Sequence, residues 1–184
     1  MGVDIGGAFT VAGVSGTQAL KIAGAFDAFT IDTTGRTFYP NQIGFSAGLN
    51  SDPSWVAMTS AVWNIQNYLN TTTFNRGGCF NTSNSRFTAP VTGAYLLYWS
   101  AYQYKPSAVP GHYVHPMFWV NGAIRPDSYR LKAYHTPTGY SFDSEIVDIF
   151  YLNAGDYVEV QIYAAAAGIS LYRAHAVFSG YLVG

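Results

Sequence analysis

Few residues in this chain have a type and spacing suited to chemistry, and each such group meets a physical objection. His112-x-x-His115 has the outline of a metal-ligand pair. In an extended strand, however, residues three apart point to opposite faces, and no Cys, Asp or Glu stands close in sequence to complete a ligand set. Asp143, Glu145 and Asp148 form the one acidic cluster. Asp143 and Glu145 alternate and so share a strand face, where a hard cation such as calcium would bridge them, but carboxylates in such positions are ordinarily solvated. Cys79 is the single cysteine, which excludes an intramolecular disulfide and a thiolate metal framework. The serines and histidines come with no G-x-S-x-G elbow, and no phosphate-cradling glycine loop is present. The expectation is a chain with no catalytic residue, no metal and no cofactor, and therefore not an enzyme.

Aromatic side chains are the more informative surface feature. Tyr102, Tyr104, His112, Tyr113, Tyr129, Tyr134, His135 and Tyr140 fall in or beside segments read as connections between strands. Tyrosine combines a flat apolar body with a hydrogen-bonding tip, which suits sugar binding and protein interfaces alike. Tyr102, Tyr104, His112, Tyr113, Tyr134, His135 and Tyr140 are therefore candidate ligand-binding loop residues. The plainer alternative, burial in a core or between subunits, is the more common fate of such residues.

The element that must position these residues is the stretch Cys79 to Trp99. Pro90 blocks a helix, and from Val91 onward Val91, Gly93, Tyr95, Leu97 and Trp99 fall on one face of a strand, with Ala94, Leu96 and Tyr98 on the other. Both faces are apolar, so this is the central strand of a β-sandwich that also meets another subunit. Composition agrees. Among 184 residues, charged side chains make up 10% and aromatics 17%, where an average soluble domain is about 25% charged. So much apolar surface with so little charge points to burial between chains. The net charge of −1 excludes a nucleic-acid partner. No run of apolar residues is long enough to span a membrane, and the N-terminus lacks the basic and apolar regions of a signal peptide. Synthesis in the cytoplasm without secretion is expected.

Two domains are expected, 1–42 and 43–184. In the first, Ala8 to Ala12, Ala19 to Ala23 and Phe26 to Asp32 are short apolar pieces separated by glycine turns. Strands this short cannot stand alone in water. Either the segment is a flap on the main domain, or three copies close into a foot; the glycine punctuation and the apolar faces favour the foot, with Phe9, Val11, Phe26 and Phe29 as its attachment residues. After the boundary at Thr33 to Asn41, Ile43 to Ala47 reads as the first strand of the main domain. Thr59 to Leu69 reads as short strands and loops, its Asn and Thr content opposing a helix. Tyr113 to Val120 leads into Asn121-Gly122, the strongest short hairpin signal, with Ile124 to His135 as the return arm. Ser144 to Leu152 is a strand and Asn153 to Asp156 its turn. In Tyr157 to Tyr163, Val158, Val160 and Ile162 face inward while Tyr157, Glu159, Gln161 and Tyr163 face outward. Ala174 to Val183 is the final strand.

These landmarks resemble the globular head of the complement and tumour-necrosis-factor superfamily. Leu69, Asn75, Phe80, Phe87, Gly93, Tyr95, Leu97 and Trp99 stand at the spacing of the complement-type signature, with Pro90-Val91 between. Leu69 and Leu97 replace the usual Phe, and Trp99 replaces Phe or Tyr. Asn121-Gly122, Leu152-x-x-Gly155-Asp156-x-Val158 and Phe178-Ser179-Gly180-Tyr181-Leu182-Val183 match later landmarks, so the likeness spans about Ile43 to Gly184. The resemblance implies an all-β jelly-roll sandwich of about ten strands, assembled as a homotrimer. Tyr95, Leu97, Trp99, Phe178 and Tyr181 would then line the trimer interface or the core. The collagen-like stem of animal members is absent. Phe29 to Ala47 instead resembles the connector that precedes such heads in bacteriophage tail fibres and virion surface proteins. Two functions follow as expectations. One is a capsid decoration, or cement, protein on the virion surface, bound to the major capsid protein. The other is a tail-fibre or tailspike tip, carried by a tail shaft protein and binding a host surface glycan or protein. The first is favoured because only residues 1–42 precede the head, leaving little room for a shaft.

Overall fold

The computed structural model describes residues 18–23, 27–32, 34, 36–39, 42–49, 54–105, 113–124, 133–134 and 140–183. The chain divides into two compact units, Met1–Gln42 and Ile43–Gly184. In the first, β1 (Gln18–Ala23), β2 (Asp27–Asp32) and β3 (Thr37–Phe38) form an antiparallel sheet in that order. Two register shifts interrupt the β1–β2 ladder. Phe29 stands on β2 opposite Ile22; Phe9, Val11 and Phe26 lie outside the described residues.

The second unit is built of β4 (Gly44–Gly48), β5 (Trp55–Ala57), β6 (Trp63–Ile65), β7 (Thr71–Arg76), β8 (Phe80–Asn81), β9 (Arg86–Thr88), β10 (Gly93–Lys105), β11 (Tyr113–Val120), β12 (Ala123–Ile124), β13 (Ala133–Tyr134), β14 (Tyr140–Leu152), β15 (Tyr157–Ala164) and β16 (Ser170–Leu182). Two sheets result. The β10 sheet runs β14-β10-β16-β4-β7 with β5 beside β16, and the β15 sheet runs β12-β11-β15-β9-β8 with β13 on β11 and β6 on β15. Every pairing is antiparallel. Among the described residues there are thirteen strands here, more than the ten expected, because short partners such as β5, β6, β12 and β13 add to the long ones. No described helix is long and apolar enough to cross a membrane.

The core lies between the sheets and is aromatic. Phe45 of the β10 sheet stacks on Phe80 and Phe87 of the β15 sheet, with ring centroids 4.9 and 5.3 Å away, and meets Phe178 edge-on at 4.9 Å. Phe118 joins the two sheets again through Phe150 and Phe178, each at 5.7 Å. Stacked and edge-on pairs of this kind add about 0.5–1.5 kcal/mol each beyond area burial. Tyr95 is fully buried and still satisfied, its hydroxyl donating to the Val91 carbonyl at 2.7 Å. Gly180 makes this closeness possible: a Cβ there would stand 2.5 Å from Leu97 Cδ2 and 2.9 Å from Phe45 Cε1.

Turn chemistry sets the register. Asn121 and Gly122 have φ of 52° and 77°, the left-handed pair of a tight hairpin whose twist matches that of the strands. The Asn121 side chain then stitches this turn to the next, donating to Asp156 at 2.8 Å and accepting from the Tyr157 amide at 3.0 Å. Asn64, in the middle of β6, ties off the non-helical turn that precedes the strand by accepting from the Thr59 amide at 2.8 Å and donating to its carbonyl at 2.9 Å, which is why the Thr59–Leu69 segment does not continue as a helix.

Two expectations are corrected. Val91 lies in an exposed bend before β10, which starts at Gly93 and runs on to Lys105. Of the Ile124–His135 arm, Ile124 in β12 and Ala133–Tyr134 in β13 return antiparallel to β11, and the rest lies outside the described residues. On β15, Val158, Val160 and Ile162 are inside as expected, but the outward Glu159 and Gln161 are also buried, only 4% and 6% exposed. The Arg86 guanidinium lies 2.8 Å from Glu159 Oε2 and 4.3 Å over the Tyr157 ring, while Gln161 donates to Glu159 Oε1 at 2.7 Å. Buried charge is tolerable when it is paired and hydrogen-bonded in this way.

Candidate functional site

The outer face of the β10 sheet is where this unit departs most from a self-contained sandwich. Alternation on β14 turns Ile146, Phe150 and Leu152 inward and sends Val147, Ile149 and Tyr151 outward, 61%, 60% and 68% exposed. The ladder sets Tyr151 beside Ala94, Ile149 beside Leu96 and Val147 beside Tyr98. On the far side of β10, Leu96 pairs with Tyr181, whose ring lies 5.7 Å from Phe74. The result is an apolar stripe across three strands that ends at β14, the sheet edge. At that edge the Ile149 amide is capped by Asp148 Oδ1 at 2.8 Å, a device that discourages further strand pairing.

Further along the same face the character changes. Tyr102 and Tyr104 stand on β10 itself, not in a connecting loop, beside Trp55 of β5 and Tyr172 of β16. The acidic cluster is split by the alternation. Asp143 and Glu145 are exposed on the outer face, where Glu145 accepts from the Tyr98 hydroxyl at 3.3 Å, while Asp148 belongs to the opposite set. Among the described residues no group of three or more His, Cys, Asp or Glu side chains is placed to hold a metal ion.

The other sequence-derived candidates scatter. Tyr95, Leu97, Trp99 and Phe178 are buried between the sheets, and Tyr181 is on the outer face. Tyr113 is on β11 near Tyr163 and His115, at 6.1 and 6.4 Å. Tyr134 pairs with Tyr113, and Tyr140 opens β14 opposite Lys105. His112, Tyr129 and His135 lie outside the described residues. Val147, Ile149, Tyr151, Trp55 and Tyr172 were missed as site residues, although the alternation in IVDIFYL carries the signal for the first three.

With this geometry in hand, comparison with known proteins is decisive for the fold. The sequence profile of the C1q domain matches residues 45–183. The chain belongs to the C1q domain family. Solved C1q and tumour-necrosis-factor folds superpose on more than three quarters of it. The globular domain of zebrafish complement 1qA does so with a TM-score of 0.54 at 19% identity, over 78% of this chain and 98% of its own. Eiger TNF from S. frugiperda gives 0.53 at 13% identity, over 78% and 94%. Murine APRIL at pH 5.0 gives 0.53 at 16%, over 77% and 99%. None of the curated proteins matches the sequence. In this C1q fold, the unmatched part is the three-stranded first unit and the boundary that follows it.

Proposed function

We propose that this chain is a non-catalytic, homotrimeric C1q head on the surface of a bacteriophage particle, where it decorates and cements the capsid. The observation that carries the assembly is the apolar stripe of Leu96, Val147, Ile149, Tyr151 and Tyr181. An exposed contiguous apolar patch on a low-charge chain marks an interface, and trimers are typical of the C1q and tumour-necrosis-factor fold to which this chain belongs. Around a threefold axis each copy offers its β14 edge to the next copy's sheet face, so all three stripes are covered by one contact repeated. The virion assignment is supported by the likeness of Phe29 to Ala47 to connectors of phage surface proteins. On this reading the protein is made in the host cytoplasm without a signal peptide, and its first unit, through Phe9, Val11, Phe26 and Phe29, holds the major capsid protein. A second reading places the same head at the tip of a tail fibre or tailspike on a shaft protein, facing a host glycan; the aromatic surface beside the stripe favours it.

Two measurements separate these statements. Light scattering at micromolar concentration should give the mass of three chains; a single-chain mass overturns the trimer. Quantitative mass spectrometry of purified particles, scaled to the major capsid protein, should then give a comparable copy number. A handful of copies moves the protein to the tail, and absence from particles ends the virion reading. Particles lacking the protein should lose infectivity sooner on heating, and equal survival would remove the cementing role.

A further inference from the structure

The turn between β11 and β12 holds the one Asn-Gly pair in the sequence. Glycine leaves its own amide nitrogen unshielded by any side chain, so that nitrogen is able to attack the asparagine Cγ. Attack forms a C–N bond, expels the side-chain nitrogen as ammonia and closes a cyclic succinimide. Water then opens the ring to aspartate or isoaspartate. The fold opposes the first step on both partners. Asn121 Nδ2 donates to Asp156 Oδ1 at 2.8 Å and Asn121 Oδ1 accepts from the Tyr157 amide at 3.0 Å, so the side-chain amide is tied to the turn between β14 and β15. The Asn121 backbone amide donates to the Tyr157 carbonyl at 2.9 Å and fixes the base of that side chain. A Cβ at Gly122 would stand 3.1 Å from the Tyr157 hydroxyl, so the phenol lies against the residue that supplies the nucleophile. Asn121 and Gly122 are both exposed, within reach of water.

We propose that Asn121 is a deamidation site gated by this lock. The closed turn holds Cγ off the Gly122 nitrogen, cyclisation proceeds only from a turn that has opened, and the product keeps the turn from closing again. The last step follows from charge. Deamidation replaces the donating NH2 by an oxygen, so two carboxylates would meet at the 2.8 Å now spanned by a hydrogen bond, and like charges that close do not both stay ionised. Arg86, the cation over the Tyr157 ring, is already paired with Glu159. Isoaspartate also lengthens the backbone at a residue whose left-handed φ of 52° suits the tight hairpin. The element that loosens is β12, whose Ala123 and Ile124 pair with β11 alone at the sheet edge. Short edge elements of this kind open at low cost. The turn belongs to the β15 sheet, and the apolar stripe to the outer face of the β10 sheet, so the reaction rests on neither the trimer nor the particle.

The test uses the full chain, incubated in mildly alkaline buffer both folded and in urea, with Asn121 followed by peptide mapping and mass spectrometry. This reads the exchange of NH2 for OH and separates isoaspartate from aspartate by retention. In the parent the folded rate should lie ~10-fold or more below the unfolded rate. Asp156→Ala should raise the folded rate by ~10-fold and leave the unfolded rate alone. Asp156 Oδ2 also accepts from the Asn153 amide at 2.8 Å, so a second set of variants keeps the test open if that chain does not fold. Asn121→Asp, which mimics the product, should speed hydrogen exchange at the amides of residues 121 and 157 by ~10-fold. Adding Asp156→Asn should return it to the parent's value, because the exchanged pair again sets one amide against one carboxylate while the side-chain oxygen at 156 still faces the Asn153 amide. Equal folded and unfolded rates in the parent, a folded rate indifferent to Asp156→Ala, or no rescue by the exchanged pair overturns the proposal.

Discussion

On β14 the outward positions carry Val147, Ile149 and Tyr151, all more than half exposed, whereas on β15 the outward positions carry Glu159 and Gln161, both nearly inaccessible. Both strands alternate and turn large apolar side chains inward, Ile146, Phe150 and Leu152 on β14 and Val158, Val160 and Ile162 on β15, yet each outer face holds what would be expected of the other. The β15 face is finished within the chain. Its carboxylate has Arg86 and Gln161, and its guanidinium has the Tyr157 ring. Nothing among the described residues does the same for the β14 face. What separates the two sheet surfaces is whether the outward row is satisfied internally, not whether it is apolar or polar.

Substitutions can break this contrast. Ile149→Asp has the largest expected effect: the chain should fold but pass from three-chain to one-chain mass, with association weakened by ~100-fold or more because three unpaired carboxylates would enter one interface. An unchanged mass in sedimentation would mean that the stripe is not where copies meet. Glu159→Ala should do the reverse, costing about 2–3 kcal/mol in urea denaturation while leaving the mass of the folded protein alone. The value is set below that of a fully buried pair because Arg86 keeps 37% of its side-chain exposure. A loss below about 0.5 kcal/mol would show that the β15 face does not depend on this pair. Gly180→Ala lies on the inner side of the β10 sheet, against Leu97 and Phe45, and should cost about 1–3 kcal/mol by overpacking. Its damage should appear in the denaturation midpoint and not in the assembly of whatever remains folded.

The smallest effect concerns Cys79, which belongs to neither outer face. Burial pushes its thiol up to about 11 from an ordinary 9.0. The folded chain therefore holds its proton where the unfolded chain has lost it, so this contribution is intact below pH 9 and fades as pH rises from 9 towards 11. Thermal melts of the parent and of Cys79→Ala at pH 8 and pH 10.5 should show the parent losing more over that interval. Equal losses would remove the role of the thiol.

Much of the fold was legible because its signals are local. Asn121-Gly122 and Asn153 to Asp156 mark turns by residue type alone, and Val158, Val160 and Ile162 mark an inner face by alternation. Glu159 and Gln161 were read as exposed because alternation reports direction, not cover; only the approach of Arg86 from a strand distant in sequence decides it. Tyr102 and Tyr104 were read as loop residues because YQYK, followed by Pro106, has the composition of a connection, whereas β10 carries on through it on the strength of two long neighbours, β14 and β16. The site residues suffered most. Tyr95, Leu97, Trp99 and Phe178 are apolar enough for an interface or a core, and nothing in their spacing says which. The bulge between β10 and β16 that brings His175 to Tyr102 has no sequence mark, since it is a mismatch between two strands and not a property of either.

The position of β16 has a consequence for the order of events in the cell. It is the latest strand in the chain and it lies in the middle of its sheet, between β10 and β4. Until residues 170–182 have left the ribosome, β4 with β7 and β10 with β14 are separate pairs with no common ladder, and Leu96 has no Tyr181 beside it. Contacts that span so much sequence form slowly, and exposed strand edges in that interval invite aggregation. On the trimeric reading proposed above, the stripe is therefore incomplete as a contact between copies until residues 170–182 are in place and Tyr181 stands beside Leu96.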